Sequence, residues 1–487
     1  MAQFLETVNR WVWGAPALIL ILGVGLFFTI WLDFFQFRLL PKAFRHFWNR
    51  ITCRNEEGTS SFRALCTALA ATVGTGNLVG VAGAIALGGP GSIFWMWVCG
   101  LLGMGLKFAE ATLAVHFRTS DEGNSVGGPM YMIQKGLPKK WRFLGPVYAF
   151  MGIFAAFGVG NATQINALIT GVHEMTGILG FTVHEWSDLL IGVILAIVVG
   201  MMLLGGASLI GKTAQVLVPF ASCAYLALCC FVLIRRVDAI PSAFTCIFRG
   251  AFSPRAVTGG AVASAFGVLR VGISRGVFTN EAGMGTASMA HASAQVSHPC
   301  DQGLMGIMEV FLDTILICTM TALVILCSGI AIPYGTDAGG ELTLGAFRMV
   351  CGDWVSLFLT LALGCFGFAT ILGWGYYGAV CARFLLGPGS WKPFALMQSL
   401  VVILGAVLKT STVWTLAEIL NGLMAIPNLL ALVFLRQQLR ELTFTFFRKS
   451  GIRAGGGTYE NFNQRKPLRT LSYAEIPPSG RGGQEGG

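Results

Sequence analysis

Residues 68–97 read ALAATVGTGNLVGVAGAIALGGPGSIFWMW. An apolar run long enough to cross a bilayer carries Gly74, Thr75, Gly76 and Asn77 at its middle. A helix that only anchors a protein has no reason to break there, because every unpaired backbone group in hydrocarbon costs several kcal/mol. Broken backbone at that depth is tolerated where protein or a wet cavity satisfies it, so the interruption marks a site.

The rest of the chain supports a membrane reading. Its 487 residues are 54% hydrophobic and 11% charged, with a mean hydropathy of +0.69. Soluble proteins carry about 25% charged residues. The fold class expected is an all-α polytopic membrane protein embedded in a lipid bilayer. The net charge of +10 does not point to nucleic acid. The basic residues gather in a few loops and the tail, as in cytoplasmic segments facing anionic lipid. The 13 cysteines are scattered without a CxxC pair, so neither a disulfide framework nor a zinc site is expected. No HExxH and no P-loop occur, and no nucleophile–base set can be assembled. The sequence reads as no enzyme, with no cofactor.

Eleven apolar segments have spanning length, at about 14–33, 62–88, 91–117, 146–173, 187–205, 213–234, 258–290, 303–331, 355–378, 393–409 and 414–436. Residues 14–33 lack a small-residue cleavage site and read as the first spanning helix. Placing the N-terminus outside puts most lysines and arginines inside, among them Arg38, Lys42, Arg45, Lys139, Lys140 and those from Arg436 onward. That bias predicts N-terminus out and C-terminus in. Arg235, Arg236, Arg249 and Arg255 run against it.

A second glycine-interrupted segment breaks around Arg275 to Gly285, in RGVFTNEAGMG. It lies five segments after the first, so segments 2–6 and 7–11 read as two five-helix repeats, the second inverted. Interrupted helices at matching places in two halves point to a transporter's binding site. The expected divisions are 1–57 (an extra helix and a basic cytoplasmic loop), 58–236 (first repeat), 256–436 (second repeat) and 437–487 (a cytoplasmic tail). From about Ser450 the tail is rich in Gly and Pro and reads as disordered.

A broken helix offers N–H groups to an anion at one half-helix start and C=O groups to a cation at the other half's end. Gly74 to Asn77 can do both, with Thr72, Thr75 and Asn77 adding neutral polar groups. In segment 7, Phe278, Thr279, Asn280 and Gly283 are candidates for ligand contact. Arg275 and Glu281 read better as an ion pair clamping the unwound turn. Gln164, in FGVGNATQINAL, suits either a ligand carboxylate or polar contact between helices. Glu309 and Asp313 form an i,i+4 acidic pair with no base four residues away, either coupling or structural. Thr370 is a lone hydroxyl that either bonds back to its own helix or serves a cation.

The chain closely resembles the alanine or glycine:cation symporter family. The strings that carry the resemblance are VGTGNLVGVAGAIALGGPGSIFWMW (73–97), GNATQIN (160–166), RGVFTNEAGMG (275–285), FLDTILICTMTALVIL (311–326), FATILGWGYYG (368–378) and NGLMAIPNLLAL (421–432). The resemblance implies a leucine-transporter-like fold and sodium-coupled import of a small neutral amino acid, alanine or glycine, across the bacterial inner membrane. A proton-coupled or glutamine-preferring carrier of the same fold is the alternative. By this analogy, the substrate carboxylate meets Thr75, Gly76 and Asn77, helped by Gln164. The amino group and side chain face Phe278 and Thr279. Sodium lies between backbone carbonyls of segment 2, at Ala71 and Gly74, and Thr370. Ser92, Cys99, Thr279, Ala379 and Glu418 depart from the family pattern, and Ala379 removes an acid common at that position.

Overall fold

In this computed structural model, residues 2–449 are described apart from 53–55, 122–123, 179, 181–184, 261–263, 337–338 and 408–410. The expected disordered tail lies outside the described residues. In chain order the α-helices are α1 (Ala2–Val12), α2 (Ala15–Trp31), α3 (Phe35–Thr52), α4 (Glu56–Thr72), α5 (Val81–Gly88), α6 (Ser92–His116), α7 (Pro129–Gly136) and α8 (Leu144–Phe157). Next come α9 (Thr163–Ile178), α10 (Glu185–Leu204), α11 (Gly206–Arg235), α12 (Ile240–Phe252), α13 (Pro254–Thr258), α14 (Ala265–Asn280) and α15 (Thr286–Ala292). Last are α16 (Pro299–Val310), α17 (Thr319–Ser328), α18 (Gly340–Cys351), α19 (Val355–Leu386), α20 (Trp391–Val407), α21 (Ser411–Phe434) and α22 (Arg436–Lys449). One short antiparallel hairpin pairs Thr119–Asp121 with Asn124–Val126.

Among the described residues, seven helices are long and apolar enough to cross a membrane, or up to ten if each bent pair is one span. The chain is a multi-pass membrane protein. The second interrupted segment is not in that count: residues 281–285 separate the 16 residues of α14 from the 7 of α15. The chain divides into two units, 1–443 and 444–487. Of the second unit only Phe444–Lys449, the end of α22, is described.

Burial separates central helices from lipid-facing ones. The apolar window of α6 is 83% buried, that of Trp186–Leu204 in α10 only 28%. In α10, Leu190, Ile194 and Ile197 stay exposed, as apolar side chains can in hydrocarbon. α6 packs against α2, α14, α15 and α16, while α19 packs against α4, α8, α9 and α11. These two helices carry or flank most of the buried polar groups.

The helix breaks have local causes. α4 ends at Thr72, a π-helical turn spans Gly76–Gly80, and the two halves are bent by 52°. The second break differs from its expected place. α14 continues through Arg275 to Asn280, and the interruption is confined to residues 281–285. There Glu281, Gly283 and Gly285 take φ of 53°, 91° and 78°, the left-handed region where an α-helix cannot continue. Two further π turns, Gly158–Ala162 and Phe311–Cys318, loosen the middle of the helices facing the breaks. Such turns cluster at functional sites.

Candidate functional site

At the first break, the Gly74 N–H donates to Asn77 Oδ1 at 2.9 Å, and the Asn77 N–H to the Gly74 carbonyl at 3.3 Å. The first N–H groups of the half-helix opening at Gly76 have no intrahelical acceptor. Thr75 Oγ1 donates to Gln164 Oε1 at 3.0 Å, and Gln164 Nε2 to the Val159 carbonyl at 3.2 Å. The π turn thus hands Gln164 a backbone oxygen and fixes its amide toward the break.

Thr370 closes another side. A Cβ built on Gly74 would lie 2.6 Å from Thr370 Oγ1 and 3.7 Å from Gln164 Oε1. The Thr370 hydroxyl donates to the Phe366 carbonyl at 2.9 Å, so it back-bonds to its own helix and also faces the break. One turn on, a Cβ on Gly373 would lie 2.9 Å from Ala71 N. Ala71, Gly74 and Thr370 therefore share the α4–α19 contact. Across the break, a Cβ on Gly76 would sit 3.2 Å from Thr279 Cγ2 and 3.7 Å from Phe278 Cδ1. Gly76 and Phe278 keep partial exposure inside the bundle, while Thr75 and Thr279 are buried. The Thr72 hydroxyl bonds back to Ala68 at 3.3 Å. A cavity of about 270 Å³ adjoins this region, walled by Leu78, Val79, Asn166, Thr170, Thr343 and Thr360 among others.

Asn77 and Asn280 have protein partners that the sequence did not show. Asn77 Nδ2 donates to Asp313 Oδ1 at 2.7 Å, and Thr314 Oγ1 to Asp313 Oδ2 at 2.8 Å. Asn280 Nδ2 donates to Thr314 Oγ1 at 3.1 Å, and its Oδ1 accepts from the Ala282 N–H at 2.9 Å. One chain of buried hydrogen bonds thereby runs from Gly74 to Ala282, joining both breaks through Asp313 and Thr314. Both asparagines spend their amides on that chain.

Gly283 belongs to the second break alone. Its N–H and that of Gly285 donate to Glu110 Oε1 at 2.9 and 3.1 Å. Asn428 Nδ2 adds a third donor to that oxygen at 2.7 Å and also reaches the Gly283 carbonyl at 2.9 Å. The clamp expected between Arg275 and Glu281 is made with other partners. The Glu281 carboxyl accepts from Thr286 Oγ1 at 2.5 Å and from Trp374 Nε1 at 3.0 Å. Arg275 lies half-buried on α14.

Glu309 sits between Lys107 Nζ and His291 Nε2, both at 2.8 Å and all three buried. Its base comes from α6, beyond the reach of a search along its own helix. Ser61 donates to Gln302 Oε1, so Gln302 Nε2 donates to His291 Nδ1 at 2.8 Å. In that arrangement His291 Nδ1 accepts from Gln302 and Nε2 donates to Glu309.

Lys107, Glu110, His291, Trp374 and Asn428 were missed as site residues. The Lys107–Glu110 pair, i,i+3 in an apolar segment, was the available signal for the first two. Nothing in the sequence shows that Asn428 and Glu110, 318 residues apart, meet.

Among the described residues no group of three or more His, Cys, Asp or Glu is placed to hold a metal ion. The donors gathered at the first break are backbone carbonyls and hydroxyls, the hard neutral oxygens that suit sodium at an unwound helix. A model of the sodium:alanine symporter family matches residues 1–456. The chain belongs to that family. This symporter is 42% identical over 439 residues to the sodium/alanine symporter AgcS of Methanococcus maripaludis, covering 89% of this chain and 94% of the relative. It is 36% identical to the probable sodium/glutamine symporter GlnT of Bacillus subtilis, covering 89% of each. Among solved structures it is similar to MhsT in complex with L-phenylalanine, with a TM-score of 0.53, 15% identity, and coverage of 74% of this chain and 87% of that one. That likeness supports the transporter fold. The protein is a transporter that couples amino-acid movement to sodium, and not an enzyme.

Proposed function

We propose that the symporter imports a small neutral amino acid, alanine or glycine, by alternating access around the first break. The convergence of Gly74, Gln164 and Thr370 on one unwound turn carries this reading. The substrate carboxylate meets the N–H groups of Thr75 and Gly76, where the start of a half-helix favours negative charge. Gln164 and the Thr75 hydroxyl complete that contact. Phe278 and Thr279 bound the substrate side chain, and their closeness to Gly76 favours a short one. Sodium takes the carbonyls of Ala71 and Gly74 with the Thr370 hydroxyl. Asn77, Asn280, Asp313 and Thr314 tie the two breaks so that they move together.

The same reading places eleven spans in two inverted five-helix halves after one extra helix, with the N-terminus outside a bacterial cytoplasmic membrane and the C-terminus inside. Helices at corresponding places pack on each other, α6 on α16, α8 and α9 on α19, and α10 on α20. That pairing supports a two-fold axis through the middle of the bundle.

Reconstituted vesicles test the proposal. An inward sodium gradient should accelerate uptake of labelled alanine or glycine, and glutamine should compete poorly. Uptake that ignores sodium, or that prefers glutamine, sinks it.

A further inference from the structure

The second break holds a buried carboxyl group whose two oxygens are treated unequally. Glu110 Oε1 accepts three donors, from Gly283, Gly285 and Asn428. Glu110 Oε2 is buried with no hydrogen-bond partner, and so is Asn428 Oδ1, the other end of the amide that donates to Glu110. Glu281, a few residues along the same break, is the internal control. Each of its oxygens takes a donor, one from Trp374 and one from Thr286.

An ionised carboxylate shares its charge over both oxygens and accepts at both. Leaving one bare in a dry interior forfeits the solvation of half the charge. A carboxylic acid has one accepting oxygen and one O–H donor. Both orphans are the second oxygens of groups already joined by the Asn428 Nδ2–Glu110 Oε1 bond, and a proton on Oε2 would supply the donor that both lack. Acid and amide then pair at both ends: the amide N–H donates to Oε1, and the Oε2–H donates to Asn428 Oδ1.

The surrounding charges favour the same state. Lys107 lies three residues before Glu110 on α6 and is paired with Glu309. Glu281 adds a carboxyl from the break and Tyr148 a phenol, whose hydroxyl donates to the Met284 carbonyl. His291 on α15 bonds Glu309 and Gln302. Among the described residues, Lys107 stands among four buried carboxyl groups, Glu110, Glu281, Glu309 and Asp313.

We propose that Glu110 is a proton-binding site, and that its proton joins it to Asn428 and locks the second break between α6 and α21. The inference is independent of the sodium and substrate assignments at the first break. Protonation forms one O–H bond on Glu110 and breaks one in the hydronium ion that delivers the proton, leaving a water molecule, with solvent as source and sink.

Purified full-length protein tests it without transport. In a pH-difference infrared spectrum the wild type should show a carboxylic-acid C=O band that is lost as pH rises, absent in Glu110→Gln and kept in Glu281→Gln. The lock exists only while the proton is bound, so the wild-type melting temperature should fall as pH rises through the Glu110 titration. Glu110→Gln, whose amide supplies a permanent donor, should melt independently of pH over that range. If the variant does not fold, Asn428→Ala provides the second arm: it removes a donor to Oε1 and the acceptor for Oε2–H, so the acid C=O band should move to higher frequency, and an unmoved band overturns the pairing. A band that survives Glu110→Gln overturns the proposal. So does stabilisation of the wild type by sodium, rather than by protons, that Glu110→Gln abolishes, since the bare oxygen would then serve a metal cation.

Discussion

The two helix breaks expose the same backbone groups and meet opposite fates. The first is lined by neutral groups, the hydroxyls of Thr75 and Thr370 and the amides of Asn77 and Gln164. The second is filled by the protein's own carboxyl groups, Glu110 on the N–H groups of Gly283 and Gly285, and Glu281 against Thr286 and Trp374. An incoming carboxylate would find the second nest's N–H groups occupied, whereas at the first the one buried acid, Asp313, engages the Asn77 side chain. Symmetry in the chain path therefore does not mean symmetry in function. On the proposed reading, one break receives the substrate and the other has its own carboxyl group built in.

The largest expected effect tests the built-in half. Gly285 takes a φ of 78°, and a Cβ there would press on Pro129 and lie 2.6 Å from Asn428 Oδ1. Gly285→Ala should cost about 1–2 kcal/mol for the left-handed backbone and a further ~1–3 kcal/mol for overpacking. The melting temperature should fall by many degrees, and substrate should recover little of it. A variant as stable as the wild type would break the claim that this turn is structural.

The first break should answer differently. Gln164→Ala removes the acceptor of Thr75 Oγ1 and a candidate donor to substrate, which should weaken substrate binding by about 1–3 kcal/mol. Calorimetric titration with alanine would read this, and the melting temperature without substrate should fall less than in Gly285→Ala, through the buried partners that Thr75 and Val159 lose. Wild-type affinity would exclude Gln164 from the site.

These contrasts mark how far the sequence could be read. The first break was legible because glycines within a spanning-length apolar run have few other uses. That segments 2 and 7 are both interrupted was legible because both interruptions are local patterns. The exact place of the second break was not, since TNEAG gives no sign that α14 persists to Asn280 and then turns at Glu281. The buried partners of Asn77 and Asn280 were not legible, for a physical reason. An amide beside a break suits a ligand and a neighbouring helix equally, and only the fold shows that Asp313 and Thr314 stand within reach. Glu110 was hidden the same way, its partners lying 173 to 318 residues further along the chain.

The smallest expected effect separates the two ligands of the first break. Thr370→Val keeps the side-chain volume and removes the hydroxyl, which already donates to the Phe366 carbonyl. The lost hydrogen bond is worth about 1 kcal/mol, and the helix carbonyl it leaves still holds its backbone partner. What disappears is an oxygen facing Gly74. The sodium concentration for half-maximal uptake should therefore rise several-fold, while substrate affinity at saturating sodium stays near the wild-type value. A change in substrate affinity at saturating sodium, with sodium dependence intact, would move Thr370 from the cation to the amino acid. It would also redraw the boundary between the two halves of the first break.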